Sequence, residues 1–258
     1  MGKRIVGRRV LALIRHGEYA QPEGVPSAHL PYGLTLKGQG QARDAAARVL
    51  EFARLQGLQL EPEIDCSSLR RAWETARLLG GALQDGNGLA FECREFDQLA
   101  ERSLGALANL SVAAIEAILR DDPRHAAPPP GWKRDTDYRL PHQGCESLAQ
   151  AGKRVARHLR SRAAELGANG SSRLKLVVGH GGAFRHAAAE LGVLSRTDVA
   201  RLSMDYCIPI YLEALPLEAL PLEAPSLEAL DGAATDASER FVHIAGDWRP
   251  HHETQPVD

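Results

Sequence analysis

Four residues in three short stretches carry the chemistry this chain can offer. In VLALIRHGEY, residues 10 to 19, an apolar run ends without a turn signal on Arg15 and His16. In LKLVVGHGGAFRH, residues 174 to 186, a second apolar run ends on His180 beside glycine. Between them, SSLRRAWETA at 67 to 76 places Arg71 in the first turn of a predicted helix. Open α/β sheets bind ligands at the carboxyl ends of their parallel strands, so the two histidines can share one crevice. Two arginines, two histidines and a helix N-terminus suit a phosphoryl group, because guanidinium bridges phosphate oxygens bidentately and helix N-termini attract anions. Each residue alone has a plainer role. A histidine beside glycine at a strand end is usually a hydrogen-bonded turn residue, and an arginine on a first helical turn usually points to solvent.

The elements that must position these residues can be read from periodicity. The apolar run at 10 to 14 is short and uninterrupted, as in a central parallel strand buried on both faces. YAQPEGVPSAHLPYG is a loop rich in Pro and Gly. Beyond it Ala42, Ala45, Ala46, Val49, Leu50 and Ala53 recur at i+3/i+4 spacing, which predicts a helix that Gly57 ends. In PEIDCSSLRRAWETARLLGGAL an extended piece leads to Ser67 or Ser68 as N-cap, with Leu69, Ala72, Ala76 and Leu79 on one helical face. A strand and loop at LAFECREFDQLAERSLG, a helix near 111 to 120, a long amphipathic helix in ESLAQAGKRVARHLRSRAAELG, and the strand LKLVV with a helix through Leu191 continue the alternation. The fold class this predicts is α/β, a three-layer α/β/α sandwich with a mostly parallel central sheet.

Two segments break the pattern. Residues 121 to 143 are rich in proline and charge and are expected to make an excursion over the surface, a candidate substrate lid. Residues 212 to 230 repeat a five-residue unit, LPLEA. A period of five matches neither helix nor strand, and Pro216, Pro221 and Pro225 would interrupt a helix, so an inert low-complexity insertion is expected. It would form an elongated hairpin loop between the strands CIPIYLEA and RFVHIAG.

The 258 residues suffice for a single domain over the whole chain. A net charge of −2 gives no global attraction to nucleic acid or anionic membrane, so any anion site must be local. No apolar run is long enough to span a bilayer, and the first residues lack the features of a secretory signal, which leads to an expectation of a cytoplasmic protein. Cys66, Cys93, Cys145 and Cys207 are scattered with no C-x-x-C pair, so reduced thiols are expected rather than a zinc knuckle or a disulfide framework.

Taken together the motifs resemble a known family. IRHGE (14 to 18), GLTLKGQGQA (33 to 42), SSLRRAWETA (67 to 76), LAERSLG (99 to 105), GCESL (144 to 148) and VVGHGG (177 to 182) are similar, in order, to the blocks of the histidine phosphatase superfamily, in the branch that contains cofactor-dependent phosphoglycerate mutase. The resemblance covers about residues 9 to 211 and the last strand. It implies that His16 is the nucleophile that becomes phosphorylated, and that Arg15, Arg71 and His180 hold the phosphoryl oxygens. It implies further that Glu101 protonates the leaving oxygen and later activates the acceptor. His16 must be neutral to attack, and the family orients it through a backbone carbonyl near the following glycine; nearby cations help keep it unprotonated. A protonated His180 would add to the positive charge of Arg15 and Arg71, while a proton-donating carboxyl needs a partly apolar site. For Glu101 the plainer role is that of a solvated surface carboxylate near Glu95, Asp97 and Arg102. No metal and no cofactor are required.

Departures from the mutases decide between hydrolysis and transfer. Leu104 stands where they place a tyrosine after the E-R pair, ungapped counting puts Val112 at their substrate-gripping lysine, and their paired arginine falls near the prolines at 128 to 130. Without those cations a doubly anionic intermediate is released to water. The expected function is therefore a metal-independent phosphatase acting on a small-molecule phosphomonoester. A mutase is the alternative, followed by a non-catalytic phosphate-binding protein. Metal hydrolysis through His16, His180, His186 or His251 and His252 lacks the expected carboxylate ligands. Arg102, Lys133, Arg134, Tyr138 and Arg139 are candidate substrate contacts, with solvated surface charge as the plainer role. Neither nucleic acid nor membrane is an expected partner, and a homodimer is left open.

Overall fold

In the computed structural model, which describes residues 7–26, 28–166, 170–216 and 239–250, strands and helices alternate from the start of the chain. The elements are β1 (Arg9–Arg15), α1 (Leu36–Gln56), β2 (Gln59–Ser67), α2 (Arg70–Asn87), β3 (Glu92–Phe96), α3 (Val112–Asp121), α4 (Leu148–Leu166), β4 (Arg173–Gly179), α5 (Gly181–Glu190), α6 (Arg196–Arg201), β5 (Leu202–Ser203), β6 (Ile210–Pro216), β7 (Glu239–Ala245) and β8 (Arg249–Pro250). The main sheet has the order β3-β2-β4-β1-β6-β7. β3, β2, β4 and β1 run parallel, β6 runs against them, and β7 at the edge runs against β6. The reversal has a local cause: the Cys207 N–H bonds the Arg15 carbonyl at 2.9 Å, so the chain enters β6 beside the carboxyl end of β1 and can only run back along it.

β1 is buried along its whole length, as its unbroken apolar run requires. Val10, Ala12 and Ile14 pack with Ala42 and Val49 of α1 and Ala72, Ala76 and Leu79 of α2. Leu11 and Leu13 face the other way, onto Val155 and Leu159 of α4 and Phe184 of α5. Period-two alternation thus joins two cores through one strand and produces the three layers. Helix ends follow their local signals at α1, where the Thr35 hydroxyl accepts from Gly38 N–H and Gly57 closes the helix at φ 63°.

Two sequence-based expectations are corrected. α2 begins at Arg70 with Leu69 as an N-cap that makes no side-chain bond, because both serines are engaged elsewhere. Ser67 closes β2 and its Oγ faces His180, while Ser68 Oγ donates to Asp97 at 2.6 Å. The low-complexity insertion starts later than 212, since Leu212 to Pro216 are paired residues of β6; β6 and β7 do form an antiparallel hairpin, and the rest of the repeat lies outside the described residues. The 121 to 143 excursion is tied down by an apolar cluster that it shares with neighbouring elements. Trp132 and Leu140 are buried with Ile115 and Leu119 of α3, Leu104, Leu107 and Ala28.

Below the site, one buried ionic cluster pins β2 to β4 and α4. The Asp65 carboxylate lies 2.6 Å from Lys175 Nζ and accepts from His158 Nε2 at 2.7 Å, and Lys175 also reaches Glu63 at 2.9 Å. Burial alone would raise the Asp65 pKa, but the His158 hydrogen bond and the Lys175 charge overcome it and hold the carboxyl below its ordinary range. Removing one member strands the others in an apolar layer. Asp65→Ala is expected to cost about 3–5 kcal/mol in urea unfolding at neutral pH. A depressed native pKa means the stabilisation is complete above the unfolded value, about pH 4, and disappears as pH falls below it. The gap between wild type and variant should therefore close in acid; a gap constant with pH would count against the cluster.

Candidate active site

β1 and β4 pair in register from Arg9↔Arg173 to Arg15↔Gly179, and the His16 N–H extends the ladder by bonding Gly179 O at 2.9 Å. The next residue of each chain is therefore a histidine at the same level, and the two rings lie 5.1 Å apart. β2 ends beside them on Ser67, and the first turn of α2 supplies Arg71.

Arg71 is fully buried among the parts of the site. Its Nε donates to His16 Nε2 and its Nη2 to His180 Nδ1, both at 3.2 Å. The same guanidinium donates to the carbonyls of Ala28 at 2.8 Å and Leu30 at 3.1 Å, and lies over the Tyr19 ring at 4.7 Å. One side chain thereby ties the loop after β1 to both imidazoles.

These contacts set the tautomers. A carbonyl only accepts, so His16 Nδ1–H donates to Gly17 O at 2.8 Å. The Nε2 lone pair then faces Arg71. Burial first, then the charges of Arg71 and Arg15, hold the His16 pKa well below 6.5, against a smaller upward pull from the Gly17 carbonyl. Gly17 is itself held: its N–H donates to Thr75 Oγ1 at 3.0 Å, and that hydroxyl donates to Arg71 O at 2.7 Å. A side chain at Gly17 would come within 2.6 Å of the Gly38 carbonyl, so only glycine lets this turn lie against α1.

His180 differs from the expected cation. Since guanidinium only donates, Nδ1 of the neutral ring is an acceptor and Nε2–H donates to Ser67 Oγ at 2.9 Å. Burial, then the charges of Arg71, His16, His29 and Arg15, hold its pKa well below 6.5. The fixed positive charge comes from the arginines. Arg15 donates to Met204 O at 2.8 Å and stacks on Tyr206 at 4.0 Å.

Glu101 is not a solvated loop carboxylate: it is 3% exposed. Its Oε1 accepts from Arg102 N–H at 2.9 Å and its Oε2 from Gly182 N–H at 3.3 Å, which places it at the start of α5, two residues beyond His180. Gly182 permits this approach, since a Cβ there would lie 3.0 Å from the carboxylate. Arg102 is buried as well, over the Trp132 ring at 5.8 Å. Arg134 and Arg139 are exposed on the excursion, and Lys133 and Tyr138 are half-buried.

Arg15, His16, Arg71, Glu101 and His180 thus come together from four separate segments. Sequence patterns alone missed Tyr19, Ser67 as a partner of His180, Met204 and Tyr206, although Tyr19 and Ser67 stand inside the quoted motifs. Met204 and Tyr206 carry no local signal, because their role depends on where the chain turns into β6. His186 bonds Gly182 O and Thr136, and His251 and His252 lie outside the described residues. Among the described residues no group of three or more His, Cys, Asp or Glu is placed to hold a metal, the four cysteines are free thiols, and no helix is long and apolar enough to cross a membrane.

A family model described as histidine phosphatase superfamily (branch 1) matches residues 11–213. A search of curated protein sequences finds no significant match. Among solved structures, a mycobacterial glucosyl-3-phosphoglycerate phosphatase in complex with inorganic phosphate is 26% identical, with a TM-score of 0.60 over 92% of this chain and 96% of that one. A protein described as mycobacterial hydrolase 2 aligns over 96% of this chain and 94% of its own at 24% identity and a TM-score of 0.63. The alpha-ribazole phosphatase of Shigella flexneri aligns over 79% and 89% at 22% identity and a TM-score of 0.58. The last two likenesses concern the fold.

Because Arg71 depresses both imidazoles, NMR titration of their ring protons should give midpoints below 6.5 for His16 and His180. In Arg71→Gln both midpoints should move up; midpoints that stay in place would show that burial alone sets them.

Proposed function

The chain belongs to branch 1 of the histidine phosphatase superfamily, and we propose that it hydrolyses a small-molecule phosphomonoester, without a metal, through a phosphohistidine on His16. The observation that carries this reading is the state of His16: its Nδ1–H is committed to Gly17 O, so Nε2 holds the only lone pair and faces the guanidinium of Arg71. A nucleophile must be unprotonated and fixed, and this ring is both.

Phosphoryl transfer asks a protein mainly for position and charge. Arg71 and Arg15 would bind the phosphoryl oxygens, and the approaching dianion would raise the proton affinity of His180, opposing the effect of burial. His16 Nε2 attacks phosphorus, the P–O bond to the alcohol breaks, and Glu101 gives the leaving oxygen its proton. Glu101, now a carboxylate, takes a proton from water as the water oxygen attacks phosphorus, which returns His16 and releases inorganic phosphate. The excursion at 121 to 143, which packs on Ala28, would act as the lid.

Two further observations support hydrolysis over transfer. Leu104, where the mutases carry a tyrosine, is packed in the apolar cluster under the excursion. The relative solved with phosphate, at 26% identity, is described as a phosphatase.

Expected outcomes are distinct for the two residues that handle bonds. His16→Ala should abolish turnover of all phosphomonoesters and the acid-labile phosphoenzyme, while EDTA leaves the wild type unaffected and vanadate inhibits it. Glu101→Gln should slow alkyl esters by about 10²–10⁴-fold and p-nitrophenyl phosphate far less, since that leaving group needs no proton. With the His16 pKa held well below 6.5, kcat/KM should show no loss on the acid side through pH 6.5. Metal-dependent turnover that survives His16→Ala would sink the reading.

A further inference from the structure

One buried histidine of α5 takes no part in the phosphoryl chemistry. His186 is 5% exposed and lies between α5 and α4, where a Cβ on Gly152 would come within 2.5 Å of its own Cβ. The adjoining contact between the two helices is apolar, with Val155 and Leu159 packed against Ala183 and Ala187. A buried imidazole there costs desolvation that an aliphatic side chain would not, unless its nitrogens are engaged.

Both nitrogens are engaged. A carbonyl only accepts, so Nδ1–H donates to Gly182 O at 2.8 Å. Burial pushes the His186 pKa down to about 4, against the upward pull of that carbonyl, so the ring is neutral near pH 7. Nε2 is then a lone pair, and it accepts from the Thr136 hydroxyl at 3.3 Å.

The two partners stand on either side of a functional connection. Gly182 is the residue whose N–H meets Glu101 Oε2 at 3.3 Å. Gly181 and Gly182 open α5, and glycines in a first turn are pliable and have N–H groups without an intrahelical acceptor. The bond from His186, four residues on, fixes the Gly182 carbonyl and with it the turn that presents the N–H. Thr136 belongs to the excursion. Asp135 accepts from the N–H groups of Asp137 and Tyr138, folding that segment into a tight turn, and the Thr136 carbonyl accepts from Ala149 N–H at the start of α4. On the other side of the carboxylate, Arg102, whose N–H meets Oε1, lies over Trp132 of the same excursion. Each oxygen of Glu101 is therefore backed by a residue that the excursion touches.

We propose that His186 is a positioning residue for Glu101: by orienting Gly182, it couples the seating of the excursion to proton transfer to the leaving oxygen. This rests on the phosphatase reading, which makes Glu101 the proton donor.

The test compares glycerol phosphate, an alkyl ester, with p-nitrophenyl phosphate in wild type, His186→Phe, His186→Asn and Thr136→Val. Phe fills the space without a hydrogen bond, Asn keeps an N–H where Nδ1 stands, and Val removes only the hydroxyl. His186→Phe should lower kcat on glycerol phosphate about tenfold with little change in KM, and leave p-nitrophenyl phosphate within about twofold. His186→Asn and Thr136→Val, which disturb packing least, should each show the same selectivity at about threefold. In a Glu101→Gln background His186→Phe should cost nothing further. Equal losses on the two esters, a full additional loss in Glu101→Gln, or wild-type kinetics in the folded variants overturns the proposal. Independently of turnover, hydrogen exchange at Gly182 N–H should quicken about tenfold in His186→Phe and less in Thr136→Val; unchanged exchange also overturns it. If wild type hydrolyses neither ester while Gly182 exchange responds, the phosphatase reading falls and the support of Glu101 by His186 stands.

Discussion

A guanidinium cannot be neutralised by burial, so a fully buried arginine has to be surrounded by acceptors, and around Arg71 those acceptors are the working parts of the site. Two backbone carbonyls from the loop after β1 and one nitrogen from each of two imidazoles meet its N–H groups. Because guanidinium only donates, both imidazole nitrogens that face it must be lone pairs. The same charge depresses the proton affinity of both rings. One ionic group therefore sets position, tautomer and protonation together.

Everything below that contact serves to hold it in place. The parallel register of β1 and β4 brings the histidines level, and β2 adds Ser67 at the same height. Thr75 couples the turn after His16 to the backbone of Arg71, so the nucleophile and its cation move as one body. The absence of a side chain at Gly17 lets that turn lie on α1, and its absence at Gly182 lets Glu101 reach the start of α5. The Asp65, His158 and Lys175 cluster fastens β2, β4 and α4 to one another beneath the site.

The two histidines look alike in sequence and are unlike in place. His16 spends its N–H on the carbonyl of the next residue and keeps its far nitrogen free of a proton. His180 spends its N–H on Ser67, across the sheet, and turns its near nitrogen to Arg71. The first arrangement suits attack, and the second suits a group that answers the charge of an incoming anion.

Much of this was legible in the chain. Apolar runs at 10 to 14 and 174 to 178, the 3.6-residue spacing of α1, and the glycine at 57 report local backbone preferences, and local preferences survive into the fold. The ordered motifs around His16, Arg71, Glu101 and His180 named the residues that meet. What the sequence did not determine depends on distant partners. The serines before α2 look like caps, yet Ser67 is taken by a histidine 113 residues away. His180 looks like a cation until burial and Arg71 act on it. Glu101 looks solvated until Gly182 makes room for it, and Met204 and Tyr206 join the site only because β6 turns back along β1. Local pattern decides which residues are available; their charge, tautomer and company are set by burial and by neighbours that only the tertiary fold brings within reach.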